Sequence, residues 1–149
     1  MIITFAGHSI IPNDPKIKTT VQQQIENNIL TSESIICYLD GYGQFDNLCA
    51  HICKELKQKY SNIEIVYVTP YISSEKSTNP ILNTFDYSIY PPIENTPPRF
   101  AISKRNEWMI CKSNIVIAYV DHNLGGAYKS LQIAKRKKKK IINIYDFLK

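Results

Sequence analysis

Residues 115–129, IVIAYVDHNLGGAYK, combine an apolar run, a polar turn and the beginning of a helical pattern. The apolar run is β-branched and aromatic, and it is long enough for one strand. Continuous apolar runs of this kind are typical of strands that are covered on both faces, as in parallel sheets. We therefore predict a buried parallel strand that leads through the adjacent glycines Gly125 and Gly126 into a helix.

Similar apolar runs recur along the chain and alternate with helical patterns. The strand-like runs are residues 2–6, 35–39, 63–68, 115–120 and 141–145, and the helical patterns are residues 20–29, 45–56, 99–111 and 127–134. Parallel neighbours need crossover connections, so this alternation predicts an α/β fold. We expect a Rossmann-like three-layer sandwich with a mainly parallel sheet of about five strands, formed by a single domain over residues 1–149.

One connection differs from the others in composition. Residues 73–98 are rich in Ser, Asn, Thr and Pro, and the segment is too long and polar for an ordinary link between strand and helix. Long polar segments of this kind often have a functional role. We predict a functional loop or a mobile lid there.

Composition excludes several classes of protein. No run approaches the roughly 18 to 20 apolar residues of a membrane span, and the first residues lack the features of a signal peptide. We therefore expect a cytoplasmic protein of a bacterial cell or a phage-infected host, with no membrane partner. The four cysteines form no CxxC pair, and the three histidines show no metal-ligand spacing. No metal and no cofactor is predicted.

The net charge of +5 comes largely from one basic run, KRKKKK at residues 135–140. Two readings are open. The run can be a solvated helix end, where cations complement the helix dipole, or a patch for an anion or nucleic acid. The first reading fits its position between a helical pattern and the last strand, so nucleic acid is not the expected partner.

Three predicted strand ends share one design, in which an apolar strand stops near a glycine and a helix begins soon afterwards. In an open parallel sheet these ends line the crevice where ligands bind. Glycines there allow close approach of the backbone, and the free N–H groups of a helix start attract phosphate. The predicted ligand-binding residues at these ends are Gly7, His8, Ser9, Asp40, Gly41, Tyr42, Gly43, Phe45, Asp46, His122, Gly125, Gly126 and Ala127.

The histidines have different expected roles. His8 can hydrogen-bond a ligand or support the first turn, and Asp121 with His122 can hold ribose hydroxyls. His51 lies in an amphipathic helical pattern, where we expect a structural role.

The segment PPRFAISKRNEWM at residues 97–109 is the richest polar cluster. Arg99, Ser103 and Asn106 are spaced to share one helical face, and Arg105 shares another with Met109. Because the guanidinium fork suits phosphate and carboxylate, either arginine can clamp an anion. We include Arg99, Ser103, Arg105 and Asn106 among the predicted ligand-binding residues.

The combination of FAGHS, DGYGQFD, PPRFAISKRNEWM and AYVDHNLGGAYKSLQIAKRKKKKIIN resembles the SLOG superfamily. This Rossmann-like group includes the DNA-processing protein DprA/Smf and the Lonely-guy phosphoribohydrolases, and the chain looks most like small members from Firmicutes and their phages. The resemblance spans nearly the whole chain except residues 73–83. It implies a nucleotide-derived ligand over the glycine turns and a homo-oligomer.

The resemblance leaves catalysis open. The Lonely-guy motif PGGxGTxxE falls on residues 39–47, where Gly41 and Gly43 fit but Asn47 stands at the position of the catalytic glutamate. An amide cannot serve as the carboxylate of N-glycoside cleavage. If the protein is an enzyme, Asp46 and Arg105 are the predicted catalytic residues.

Three functions follow from this reading. The first is binding, sensing or sequestration of a phosphate-containing, nucleotide-derived molecule, including signals used in conflict between bacteria and phages. The alternative is a nucleotide N-glycoside hydrolase or transferase. DNA binding of the DprA kind comes third.

Overall fold

The computed structural model describes residues 1–72 and 84–149. Six strands form one parallel sheet with the spatial order β4-β3-β2-β1-β5-β6. The strands are β1 (Ile2–Gly7), β2 (Ile35–Leu39), β3 (Ile63–Val68), β4 (Tyr87–Ile89), β5 (Ile115–Tyr119) and β6 (Lys140–Asn143). The predicted α/β Rossmann-like fold is confirmed, with one strand more than expected.

Helices cover both faces of this sheet. They are α1 (Pro15–Thr31), α2 (Gln44–Lys59), α3 (Ala101–Lys112), α4 (Gly125–Arg136) and the short α5 (Ile144–Phe147), with a 3₁₀ turn at Pro98–Phe100 before α3. Within the described part of the chain, no helix is long and apolar enough to cross a membrane.

Helix α1 shows how local signals set an element. The Asp14 side chain accepts a hydrogen bond from the Lys16 N–H at 2.9 Å, and Pro15 occupies the first helical position, where its missing N–H costs nothing. Four buried residues repeat every fourth position and face the sheet: Ile17, Val21, Ile25 and Ile29.

The extra strand lies in the segment that we predicted as a functional loop or lid. Tyr87–Ile89 pairs with β3 at the edge of the sheet, and this pairing is supported by Asp86. The Asp86 carboxylate accepts the Ile65 N–H at 2.7 Å and also pairs with Lys57. A strand of three residues is too short to show an alternation of apolar and polar side chains, and the residues that support it are distant in sequence. The sequence pattern therefore does not predict it. The part of the predicted lid at residues 73–83 lies outside the described residues.

The last predicted strand is shorter than expected. It ends at Asn143, whose side-chain oxygen accepts the N–H of Tyr145 at 3.4 Å and that of Val120 at 3.1 Å. The Asn143 side chain thereby caps α5 and terminates the strand.

Two hydrophobic layers flank the sheet. On one face, α1 and α2 pack against inward residues such as Ile3, Phe5 and Ile117. On the other face, Met109 of α3 packs with residues of β2 and β3, while α4 packs against β5. Every residue of β5 is buried, as the continuous apolar run predicted.

The order of the strands creates a gap between α3 and α4. From β1 the chain adds β2, β3 and β4 on one side, and it then returns to place β5 and β6 on the other. Helix α3 packs toward β2 and β3 and α4 toward β5, and both helices also contact β1, whose small residues Thr4 and Ala6 line the crevice. A reversal of strand order of this kind is where open α/β sheets bind ligands.

The end of β1 is closely packed against α2. Gly7 has no side chain, and a Cβ there would overlap the ring of Phe45, which is fully buried. Gly126 at the start of α4 is different, because a Cβ there meets nothing within 4 Å.

We expect Gly7→Ala to lower the free energy of unfolding by about 1–3 kcal/mol, because overpacking displaces Phe45 or the backbone. The matched change Gly126→Ala is expected to leave stability unchanged or slightly higher. Urea denaturation of both variants measures the difference. Equal stability of the two variants would contradict the close packing at Gly7.

Candidate ligand-binding crevice

A crevice of about 830 Å³ opens at the carboxyl ends of β1, β2 and β5, between α3 and α4. Small-molecule sites in proteins typically have volumes of roughly 300–1,000 Å³. Its floor includes Thr4 and Ala6, and its walls come from the loops after the three strands and from the facing sides of the two helices. The crevice therefore has both the size and the place expected of a ligand site in this fold.

The N-terminus of α4 forms one wall. Helix α4 begins after Leu124 with no side-chain cap, and within the described chain no hydrogen bond uses the N–H groups of Gly125, Gly126 or Ala127. Gly125 has φ +91°, a conformation that favours glycine. Unused N–H groups at a helix start, together with the helix dipole, attract anions. All three residues line the crevice.

The turn after β2 is different because its N–H groups are already used. Both oxygens of Asp46 accept backbone N–H groups, from Gly41 at 2.7 Å and from Asp40 at 3.3 Å. The Tyr42 N–H donates to the Asp40 side chain at 2.9 Å, and the Gln44 N–H donates to the Ser9 carbonyl at 2.8 Å. These four N–H groups are therefore not available to a ligand, although Asp40, Gly41 and Tyr42 line the crevice.

The Asp46 carboxyl is buried below this turn, and the carboxyl of the partly buried Asp40 lies beside it. Burial and the nearby Asp40 carboxylate raise the pKa of Asp46 well above its usual value, and burial also raises the pKa of Asp40. The Arg105 charge opposes the shift at Asp40. Because Asp40 lines the crevice and Asp46 does not, Asp46 supports the turn from beneath.

Arg105 is the buried cation of the site, with 3% of its surface exposed. Its Nη1 donates to the Val68 carbonyl at 2.9 Å and approaches the Asp40 carbonyl at 3.5 Å, while its Nε donates to the Asn106 side chain at 2.9 Å. Within the described residues, Nη2 has no hydrogen-bond partner. The guanidinium is therefore held in one orientation at the crevice wall with donor capacity remaining.

His8, Asp121 and His122 meet at another wall. The Asp121 N–H donates to His8 Nε2 at 3.2 Å, and His122 Nδ1 lies 2.6 Å from Asp121 Oδ1. The two imidazole rings stack with centroids 3.8 Å apart. Burial and the neighbouring His122 lower the pKa of His8, although the Asp121 charge opposes this. His8 thus supports the turn and also lines the crevice.

Most of the predicted ligand-binding residues come together in this crevice. Those that line it are Gly7, His8, Ser9, Asp40, Gly41, Tyr42, Arg105, Asn106, His122, Gly125, Gly126 and Ala127. The residues belong to segments that are far apart in sequence but adjacent at the sheet edge.

Five predicted residues do not line the crevice. Phe45 is fully buried in the core, Asp46 lies beneath the turn, and Gly43 precedes α2 against the backbone of Ser9. Arg99 and Ser103 are exposed and lie away from the crevice, and Arg99 lies over the Phe100 ring. Helix α3 turns the side of Arg105 and Asn106 toward the crevice, a choice that residue spacing alone left open.

Sequence reasoning missed several lining residues. Tyr67 lies near the end of β3, and Tyr71 follows that strand. Ile102 and Met109 belong to α3, and Ser130 lies one turn into α4. Ser130 is four residues after Gly126 and three residues after Ala127. In a helix this spacing places it beside them, and it is the signal by which the sequence could have identified it.

The remaining predicted features lie elsewhere. The basic run at residues 135–140 ends α4 and begins β6, so it is at the opposite edge of the sheet from the crevice. His51 is exposed on α2, which places it outside the core despite its amphipathic surroundings.

Comparison with solved structures identifies the same fold in several proteins. DNA processing protein A from Helicobacter pylori is 14% identical, with a TM-score of 0.62 over 99% of this chain and 71% of that chain. The molybdenum cofactor binding protein from Rippkaea orientalis is 15% identical, with a TM-score of 0.57 over 99% of this chain and 81% of that one.

The Moco carrier protein of Chlamydomonas reinhardtii also matches, at 14% identity and a TM-score of 0.54, over 94% of this chain and 72% of that chain. No protein-family model and no curated protein matches the sequence. The similarity therefore rests on structure, and it confirms the Rossmann-like fold.

We expect Asp46→Asn to remove part of the dependence of stability on pH. The amide is uncharged like the protonated carboxyl, and its Oδ1 can still accept the Gly41 N–H, although its NH₂ group cannot accept the Asp40 N–H. The folded-state pKa of Asp46 is raised, so the unfolded chain ionises first, above about pH 4. Wild-type stability should therefore fall relative to the variant as pH rises from 4 through the folded-state pKa.

Urea denaturation of both proteins at several pH values between 4 and 8 measures this difference. A constant difference in unfolding free energy across that range would show that Asp46 ionises equally in the folded and unfolded chains.

Proposed function

We propose that the protein binds a phosphate-bearing, nucleotide-derived small molecule in the crevice, with the phosphate at the N-terminus of α4. The observation that supports this most directly is the set of unused N–H groups at Gly125, Gly126 and Ala127 on a wall of the crevice. Across the crevice, Arg105 provides a buried positive charge whose Nη2 has no hydrogen-bond partner among residues 1–72 and 84–149. Two such groups favour an anion over a neutral ligand.

The rest of the lining suits the non-phosphate part of a nucleotide. Tyr42 and Tyr71 are exposed aromatic side chains at the mouth, where a planar base can stack. Asp121 and His122 present polar groups beside α4 that can hold ribose hydroxyls. The molybdenum cofactor binding protein and the Moco carrier protein share this fold, which supports small-molecule binding as the role of the crevice.

We further propose that binding serves to sense or sequester the ligand, including a signalling nucleotide used in conflict between bacteria and phages. This follows the family resemblance and the incomplete Lonely-guy motif. DNA binding, which the Helicobacter protein shows, is less well supported because the basic run lies at the opposite sheet edge.

A homo-oligomer belongs to the same proposal. Ile10, Tyr42 and Leu124 at the crevice mouth expose 77%, 75% and 74% of their surface, an apolar rim that a second copy can cover. Sedimentation equilibrium of the wild-type protein measures the mass, and a monomer at all concentrations tested would contradict the oligomer.

Incubation with nucleoside monophosphates, NAD, ADP-ribose and cyclic nucleotides, followed by washing, heat release and mass spectrometry, tests the proposal. We expect one intact compound to be enriched. Gly126→Ala should weaken its binding at least about tenfold without loss of stability, because the added methyl group enters the phosphate position. Arg105→Lys should weaken binding by about 10- to 100-fold through loss of the guanidinium fork.

Arg99→Lys is the matched control, because Arg99 is exposed and outside the crevice. Its affinity should equal that of the wild type. If no compound is retained, the proposal fails for this panel of compounds. If Gly126→Ala and Arg105→Lys bind as the wild type does, the crevice is not the binding site.

One observation favours hydrolysis of a nucleotide N-glycosidic bond as a second candidate function. A carboxyl group with a raised pKa, that of Asp40, lines the crevice beside Arg105. In its ionised form this carboxyl can stabilise an oxocarbenium-like centre or activate water, and a raised pKa makes it the stronger base. The role that the sequence suggested for Asp46 would then belong to Asp40, with Asp46 as a positioning residue that holds the turn.

If this candidate is right, the same incubation yields free base and ribose phosphate instead of an intact compound. Asp40→Asn should abolish the reaction, and Asp46→Asn should retain most of it because the amide oxygen still accepts the Gly41 N–H. The reverse pattern would restore Asp46 as the catalytic residue, and absence of free base with every compound would exclude hydrolysis of the panel.

A further inference from the structure

Two histidines and one aspartate, which come from two distant segments of the sequence, form a compact group at the crevice mouth. His8, Asp121 and His122 each offer one ligand atom, and these atoms lie within 4.8 Å of one another. The sequence separates His8 from the other two by more than a hundred residues. They meet because β1 and β5 are neighbouring strands: His8 follows the end of β1, and Asp121 and His122 follow the end of β5. We propose that this group binds a divalent transition-metal ion such as Zn²⁺ or Co²⁺.

The donor set fits such an ion. Two imidazoles and one carboxylate are the protein ligands of many catalytic zinc sites and of open iron(II) sites, which leave coordination positions for water or another ligand. Hard ions such as Mg²⁺ and Ca²⁺ prefer oxygen ligands, so this set discriminates against them.

The distance between two of the donor atoms already suits coordination. His8 Nε2 lies 3.3 Å from Asp121 Oδ1. Two ligands on a tetrahedral ion with bonds of roughly 2.1 Å are about 3.4 Å apart. His8 is also fixed in place, because only 8% of its surface is exposed and its Nε2 accepts the Asp121 N–H. That hydrogen bond requires Nε2 to be unprotonated, as in a metal ligand. It uses the single lone pair of Nε2, so a bound ion would replace the Asp121 N–H there.

His122 is the ligand that has to move. Its ring is stacked on His8 at an interplanar angle of 7°, so the in-plane lone pairs of the two rings do not converge on one point. Its Nδ1 is 2.6 Å from Asp121 Oδ1, which is a hydrogen-bond distance. Because the His122 side chain is 55% exposed, it can tilt away from the stack and exchange this hydrogen bond for a bond to the metal.

The position of the group indicates what the metal would do. His8 and His122 both line the crevice, and the N-terminus of α4 begins three residues after His122. Coordination positions left free by the protein are therefore beside the unused N–H groups of α4. A water molecule or an anionic oxygen can occupy them, so the ion adds positive charge where α4 already attracts an anion.

The competing explanation is that the three residues form a hydrogen-bonded cluster that only supports the turn. Titration with Co²⁺, without any nucleotide, distinguishes this cluster from a metal site. We would titrate Co²⁺ into the full chain with Cys111→Ser, since Cys111 is an exposed thiol that can also bind the ion. We expect saturation at one ion per chain, visible absorption bands of nitrogen- and oxygen-bound Co²⁺, and displacement by Zn²⁺. A rise in Tm should accompany binding.

The variants His122→Ala and Asp121→Asn should each weaken Co²⁺ binding by at least about tenfold, because each removes a ligand. His51→Ala is the matched control: His51 is exposed on α2, and its loss should leave the affinity unchanged. His122 is half-exposed, so its replacement should leave the fold intact, which circular dichroism checks.

Absence of saturable binding at one ion per chain would overturn the proposal. So would equal losses from His51→Ala and His122→Ala, which would mark adventitious binding to surface histidines. Because the test uses the metal without any nucleotide, its failure leaves the proposed phosphate site untouched, and failure of nucleotide binding does not affect the metal result.

Discussion

The parallel pairing of β1 with β2 on one side and β5 on the other is the constraint on which the rest of the structure depends. This pairing makes β1 the strand at which the chain reverses its direction of growth across the sheet. Helices α3 and α4 consequently cover neighbouring strands, and both contact β1 and each other, with the crevice lined by both helices. The small side chains of Thr4 and Ala6 leave the space between the helices open, and the crevice results from that geometry.

The two glycine turns on this edge have different physical roles. After β2, the Asp46 carboxyl group and the Ser9 carbonyl take up backbone N–H groups, and close packing leaves no room for a side chain at Gly41 beside Tyr67. At the start of α4, no described residue accepts from the N–H groups of Gly125, Gly126 or Ala127, and the space around Gly126 is open. One turn is therefore rigid support, and the other is available to an anion.

Buried charge is concentrated between these turns. Arg105 lies against two backbone carbonyls and close to the partly buried Asp40, whose carboxyl interacts with that of the buried Asp46. Burial favours the neutral form of a carboxyl, while the guanidinium stays charged at any relevant pH. The wall thus keeps a positive charge near the crevice, and this arrangement is compatible with an anionic ligand.

The sequence by itself determined the fold class, most elements and half of the residues that line the crevice, because continuous apolar runs, helical spacing and glycine turns are local signals. It predicted the crevice edge because all parallel strands end there. Tertiary structure decided which face of α3 points inward, that Asp46 lies beneath the turn, and that β4 joins the sheet through Asp86. It also decided the meeting of His8 with Asp121 and His122. These features depend on pairing between distant segments, and no local pattern specifies such pairing.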